Sequence, residues 1–298
     1  MDDVLIVGGS FAGLTAGLQL VRTGRTVTVL DTKLPRNRFV KAAHGVLGFD
    51  GASPWDIRKA GERDFLAYPT ASIVDAKAIS ARHIDSGFAV IDEAGVERQA
   101  KRLILAYGLT DAMPDLPGFA ESWGKSVVPC PYCDGYEVAN TRLGVLHTNP
   151  MSVHVALLIQ DWSRDMTLFA NGAVIADEDR QALAARGIKI VEPKVTALAH
   201  NSGMIQSVVL EDGSSVPLDA LFAHPRHAPS SRLHETLGIE TAESPVGRYI
   251  KVNELFQTNV KNVFAAGDGA SAMHSVTNAL YGGAMAGVMC HRSMVFPD

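Results

Sequence analysis

Two of the three cysteines in this 298-residue chain stand two residues apart in VVPCPYCDGYEV, Val127 to Val138, with Asp134 directly behind the second. Cys130 and Cys133 at that spacing suit a reversible disulfide couple, half of a metal site, or two small residues of a core. In a redox couple the thiolate is the reactive species, which a nearby helix start favours, and a nearby carboxyl can relay protons between sulfur and solvent. A structural zinc would need two more ligands, from a second C-x-x-C or a spaced histidine pair, and the sequence offers neither at that spacing. The close pair His224 and His227 in HPRH is not tied to the cysteines by anything in the sequence, so no metal is expected. A histidine near a dithiol could instead act as a base. Cys290, in the apolar helical run GAMAGVMCH, reads as a core residue.

The chain that positions this pair is long enough for two domains, and 47% of its residues are hydrophobic, enough for a sizeable core. Its net charge is −5 and it has no block of lysine or arginine, so nucleic acid is not expected as a partner. The opening MDDVLIVGGS carries two acids where a secretory signal carries positive charge. No apolar run reaches the roughly 18 residues that span a bilayer, so no membrane association and a cytoplasmic location are expected. Three cysteines make no disulfide framework, and in a reducing compartment a close pair is catalytic or metal-binding.

The first thirty residues supply the strongest positional signal. Val4 to Val7 form an apolar run, a glycine-rich turn follows, Leu14, Leu18 and Val21 recur at helical spacing, and a second run, Val27 to Leu30, ends on Asp31. This is a βαβ unit in which small residues let the backbone approach a pyrophosphate and the strand-end acid accepts from a ribose hydroxyl. The fingerprint G-x-G-x-x-G reads Gly8-Gly9-Ser10-Phe11-Ala12-Gly13, with serine at the second marked glycine. Far along the chain, Val263 to Ala266 form another short strand ending in Gly267-Asp268, and a helix with many small residues begins near Ser275 and Val276. An aspartate there suits a polyhydroxyl chain, and a helix start suits developing negative charge.

Taken in order, the N-terminal dinucleotide turn, the central C-x-x-C-D-G and the C-terminal T-x6-F-A-A-G-D starting at Thr258 resemble the low-molecular-weight thioredoxin reductase family of FAD-dependent disulfide oxidoreductases. The resemblance covers the whole chain. It implies an α/β fold of two Rossmann-like, three-layer ββα dinucleotide-binding domains. The FAD domain is discontinuous (1–111 and 244–298), and a pyridine-nucleotide-type domain (112–243) carries the C-x-x-C. ASIVDAKAI, GFAVIDEAG and AKRLILAYG read as an antiparallel β-meander set into the first domain. Ala106-Tyr107-Gly108 is similar to the family's A-T-G crossover, with tyrosine for threonine, and Leu116 to Phe119 to its linker. HGVLGFDG, opening at His44, stands where the family places a loop against the isoalloxazine ring. The resemblance further implies that Cys133 faces the flavin, that Cys130 meets an external thiol or disulfide, and that Asp134 handles the proton.

One stretch departs from the family. Leu143 to Leu146 and Ser152 to Gln160 read as the strand and helix of a second βαβ turn, yet His147-Thr148-Asn149-Pro150 replaces the phosphate-cradling glycines. The next strand runs into Ala170-Asn171 where an arginine cluster for the 2′-phosphate is expected, leaving the distant Arg164 as a compensating candidate. The expectation is therefore an enzyme that passes electrons between FAD, the Cys130/Cys133 pair and an external thiol or disulfide, without NADPH. Dioxygen and a ferredoxin-type protein both stay open as the second electron partner. Dithiol oxidases of this kind carry histidine after the C-x-x-C, where this chain has Asp134. An NADPH-dependent thioredoxin reductase, and a non-catalytic flavin-binding module, remain as alternatives. The substrate is a small molecule or a thioredoxin-like protein, and the family implies a homodimer.

Overall fold

The structure is a computed structural model, described for residues 1–296. The chain opens with β1 (Asp2–Val7), α1 (Phe11–Val21), β2 (Val27–Asp31), α2 (Pro54–Leu66) and β3 (Ala71–Asp75). It continues through β4 (Ala78–Ile84), β5 (Gly87–Asp92), β6 (Glu97–Leu105) and the short β7 (Leu109–Asp111). Then come α3 (Phe119–Ser122), β8 (Val127–Val128), the single turn α4 (Pro131–Asp134), β9 (Leu143–Leu146), α5 (Met151–Ile159) and β10 (Met166–Phe169). After α6 (Asp177–Ala185) and β11 (Lys189–Val191) lie β12 (Val195–Asn201), β13 (Met204–Leu210), β14 (Ser215–Pro217) and β15 (Ala220–Phe222). The chain closes with β16 (His227–Pro229), α7 (Leu233–Thr236), β17 (Thr241–Ser244), β18 (Gly247–Ile250), β19 (Val263–Ala265) and α8 (Val276–Val295).

Two compact units result, one from residues 1–38, 46–110 and 227 onward, the other from 39–45 and 111–226. In the first, β3, β2, β1, β6 and β19 pair in parallel, as the near-continuous apolar strands of a sheet covered on both faces require. Val4, Leu5 and Ile6 are wholly buried. Glu97 to Ala100 of β6 pair antiparallel with β5, and β5 with β4, which forms the meander, whereas the apolar part of AKRLILAYG, Arg102 to Leu105, runs parallel to β1 and β19 instead. ASIVDAKAI is not one strand of it. The chain breaks at Ala76-Lys77, and Ala71–Asp75 instead pairs in parallel with β2.

α8 packs on α1 through small residues. A Cβ on Gly283 would lie 2.2 Å from the Ala12 carbonyl oxygen and one on Gly287 2.6 Å from that of Ala16, so the run GGAMAG exists to let two backbones meet. Residues 227–243, assigned by the sequence to the second domain, pack in the first. β16 pairs with β18, and Leu233, Leu237 and Ile239 join the core of the large sheet. That return is set by long-range pairing, which no local pattern around Phe222 announces.

The second unit is a five-stranded parallel sheet, order β11-β10-β9-β15-β8, beside an antiparallel ladder β12-β13-β14. Val153, Ala156 and Ile159 of α5 pack onto Leu143 and Val145 of β9, the helix-on-sheet contact that the sequence pattern predicts. Among the described residues no helix is long and apolar enough to cross a membrane.

Candidate active site

β1 delivers the chain into the first glycine turn. Gly8 has φ +106°, and a Cβ there would lie 2.3 Å from the Ala106 carbonyl oxygen. A Cβ on Gly13 would lie 1.8 Å from the Gly8 oxygen, so the first turn of α1 sits against the strand end with no room for a side chain. Ser10, the cap residue of α1, has φ −97° and ψ −159°, extended backbone that any residue adopts, which explains why serine replaces the second marked glycine. Its side chain makes no capping bond. Phe11 and Ala12 begin the helix and are buried.

Asp31, at the end of β2, is already bonded on several sides. It accepts from the Gly9 backbone N–H at 3.0 Å and from that of Lys33 at 3.1 Å. The Arg58 guanidinium, reaching from α2, forms an ion pair with Asp31, donates Nε to the Gly9 carbonyl at 3.1 Å and meets Glu62 at 2.6 Å. Arg58 is only 5% exposed, so its charge is held by these three oxygens rather than by water. Sequence reasoning missed this residue, and PWDIRKAGERDFL holds no signal for it, because an arginine on an amphipathic helix ordinarily faces solvent. Beyond Asp31 a cavity of about 360 Å³ opens between Lys33, Asp75, Lys77 and Glu93.

The C-terminal strand ends beside the same turn. Gly267 has φ +78°, and its Cβ would lie 2.9 Å from that of Ala12. The Asp268 carboxylate accepts from Arg36 Nη1 at 3.0 Å, a partner unpredicted from sequence. Gly108 turns with φ +69°, and its carbonyl accepts from the Ser230 N–H at 3.1 Å. Ser275 caps α8, its hydroxyl accepting from the Asn278 N–H at 3.0 Å, and Val276 is the first helical residue. The structure thus brings Gly8 to Gly13, Asp31, Gly108, Gly267, Asp268, Ser275 and Val276 into one unit. His227 packs there too, its ring 4.8 Å from that of His274.

The cysteine pair lies in the second unit. Cys130, with extended backbone, caps α4, and Pro131 takes the first helical position, where its missing N–H costs nothing. The Cys130 carbonyl accepts from the N–H groups of Cys133 at 3.2 Å and Asp134 at 3.1 Å, which curls the segment until the two sulfurs join in a disulfide. Trp162 meets the Tyr132 ring edge-on at 5.6 Å and fills the space beside Gly135. The Asp134 pKa is raised from 3.8 to about 6, chiefly by burial, with Glu137 adding to the rise and His44 opposing it. His44 Nε2 lies 3.4 Å from Glu137 Oε1, so the structure puts this histidine with the disulfide's own segment. Burial pushes the Cys290 thiol up to about 12, which keeps it protonated and inert, as expected of a core cysteine.

At the second βαβ turn the helix start is closed by the protein itself. Ser152 Oγ accepts from the backbone N–H of Thr148 at 3.1 Å and of Asn149 at 3.4 Å, while Asn149 Oδ1 accepts from that of Met151 at 2.9 Å. Thr148 and Asn149 side chains both donate to the His224 carbonyl, at 3.0 and 3.4 Å. After β10, Asn171 Oδ1 accepts from Val195 N–H at 3.0 Å, and Arg180 on α6 is engaged by Glu192 and by the Ile175 carbonyl. Arg164 precedes β10, at the amino end of the strands. Nucleotides bind at the carboxyl ends of such sheets, the end opposite Arg164.

Two dinucleotide-type units and a disulfide on a helix turn together define a disulfide oxidoreductase. The chain belongs to the pyridine nucleotide-disulphide oxidoreductase family, whose model matches residues 2–283. It is 34% identical to thioredoxin reductase tcpT of Claviceps purpurea, over 98% of this chain and 94% of that one. Thioredoxin reductase sirT of Leptosphaeria maculans is 31% identical, over 96% and 92%. The crystal structure of an oxidoreductase from Agrobacterium tumefaciens superposes with a TM-score of 0.95 at 39% identity, covering 100% of this chain and 99% of that one. That of HlmI does so with 0.93 at 32%, covering 99% and 92%. The protein is an enzyme of the thioredoxin reductase-like kind.

Proposed function

We propose that the protein is an FAD-dependent dithiol/disulfide oxidoreductase that works without NADPH. The observation that carries the second half is the closed start of α5, where Ser152 and Asn149 already occupy the backbone donors that a pyrophosphate would need. The turn leading into α1, by contrast, is built of glycines packed backbone to backbone, a cradle that fits a dinucleotide. The unit holding α1 is read as the FAD domain, and the unit holding α4 as the disulfide domain.

In this reading the turn Gly8 to Gly13 holds the pyrophosphate. Asp31 keeps an acceptor site for a ribose hydroxyl, since a carboxylate has about four lone-pair positions and three donors now use it. Asp268, oriented by Arg36, and Gly267 hold the polyhydroxyl chain, with Gly108 and the α8 start at Ser275 and Val276 closing the site. Bound FAD supplies a two-electron donor and acceptor. Cys130, half-exposed at the head of α4, meets the external thiol or disulfide, Cys133 is the inner sulfur, and Asp134 holds the proton that follows the electrons. The second electron partner is dioxygen or a ferredoxin-type protein. A homodimer in the cytoplasm is the assembly and location that accompany this reading.

Anaerobic addition of a dithiol should bleach the visible flavin absorption of the purified protein, and NADPH should not. Prompt bleaching by NADPH would instead make it an NADPH-dependent thioredoxin reductase. Cys133→Ser should abolish dithiol turnover; a wild-type protein that turns over no dithiol would instead be a non-catalytic flavin-binding module.

A further inference from the structure

We propose that His44 and Glu137 are positioning residues for proton transfer at Asp134, and that this pair sets the pH range over which the disulfide exchanges with a dithiol. The inference rests on the functional reading above. Asp134 sits one residue after Cys133, in the single turn α4. Two side chains act on it electrostatically, Glu137 from the segment just after the turn and His44 from the segment 39–45. They also meet each other, His44 Nε2 to Glu137 Oε1 at 3.4 Å, with side-chain exposures of 26% and 42%. A partly exposed His44–Glu137 pair thus stands at the segment just after the turn that carries Asp134, and its two members bias that carboxyl in opposite senses.

The exchange balances as R(SH)2 plus the Cys130–Cys133 disulfide giving the cyclic R disulfide plus two cysteine thiols, with two electrons and two protons moving together. A substrate thiolate attacks Cys130 sulfur, the S–S bond opens, and the electron pair leaves on Cys133. Asp134 gives its proton to that sulfur. The substrate's second sulfur then attacks the mixed disulfide, freeing Cys130, and the two substrate protons restore Asp134 and supply the Cys130 thiol. The step requires Asp134 protonated at its start, so the rate falls where Asp134 ionises. Burial is the main reason that this happens near neutral pH rather than below 4, with Glu137 adding to it and His44 subtracting from it.

The test is the rate at which dithiothreitol reduces the disulfide of the FAD-loaded protein between pH 5 and 9, followed by acid quench, alkylation and mass counting of labelled thiols. Because dithiothreitol ionises identically in every sample, variant-to-wild-type ratios isolate the protein's own limb. Glu137→Gln removes the repulsion and should move the alkaline limb to lower pH, with a several-fold loss at pH 7.5. His44→Gln should move it the opposite way, and the double variant should return it close to wild type. Limbs that stay in place, or that move in the same direction in both single variants, overturn the proposal. If the wild-type disulfide does not exchange at any pH, the functional reading falls and this inference with it.

Discussion

Asp134→Asn should make the oxidised protein more stable at pH 7.5, although it removes the group proposed to hold the proton. The carboxyl's pKa rises from 3.8 to about 6 on folding, chiefly through burial. At 1.36 kcal/mol for each tenfold change in proton affinity, ionising it in the folded protein costs about 3 kcal/mol, and water at its exposed edge brings the effect to about 1–3 kcal/mol. The sign follows from proton counting. Between pH 3.8 and about 6 the folded state holds more protons than the unfolded chain, so stability from this group is fully present below pH 3.8 and is lost as pH rises through 6. Asparagine keeps the shape without ionising. Urea unfolding of the oxidised, FAD-loaded proteins at pH 4 and pH 7.5 should show the variant ahead by about 1–3 kcal/mol at the higher pH, with the gap closing at the lower. A gap that does not change with pH would refute a buried, proton-holding Asp134. The same substitution should slow dithiol exchange by about 10²–10⁴-fold, the usual scale for losing a general acid.

Arg58→Met leaves Asp31 and Glu62 without their buried cation and should cost about 3–5 kcal/mol in unfolding experiments, with loss of bound FAD on gel filtration. Gly13→Ala places a methyl 1.8 Å from the Gly8 oxygen and should prevent soluble, FAD-binding protein from accumulating, whereas Gly61→Ala, whose nearest neighbour would be a Leu14 methyl at 3.4 Å, should express normally and retain FAD. Cys290 in the native oxidised protein should resist an aromatic disulfide reagent at pH 8, because its thiol stays protonated to about 12, and Cys290→Ala should leave dithiol exchange unchanged.

The parts legible in the sequence are those written in local periodicity. The first βαβ unit, the acid ending β2, the strand β9 and the helix α5 with its missing glycines, and the turn holding the cysteines all appear where the pattern places them. What stayed hidden depends on residues far apart in the chain. Arg58 is 27 positions from Asp31 and Arg36 232 from Asp268, and neither pairing leaves a local mark. His44 stands in a loop whose glycines gave no hint that it would meet Glu137. The break between β3 and β4 was missed because Ala76-Lys77 carries neither proline nor glycine, the residues that usually announce a turn.

The contact between Gly283 and Ala12 carries a consequence for biosynthesis. During synthesis the dinucleotide turn emerges more than two hundred residues ahead of the helix that clamps it and of β19, which extends its sheet. The disulfide-bearing unit is complete by residue 226, so it can fold on the nascent polypeptide while the opening βαβ motif is still waiting for its closing pieces. A chain truncated before Val276 would therefore keep its second unit intact while its first exposes the groove that α8 should fill. Quality-control proteases should clear such a product rapidly.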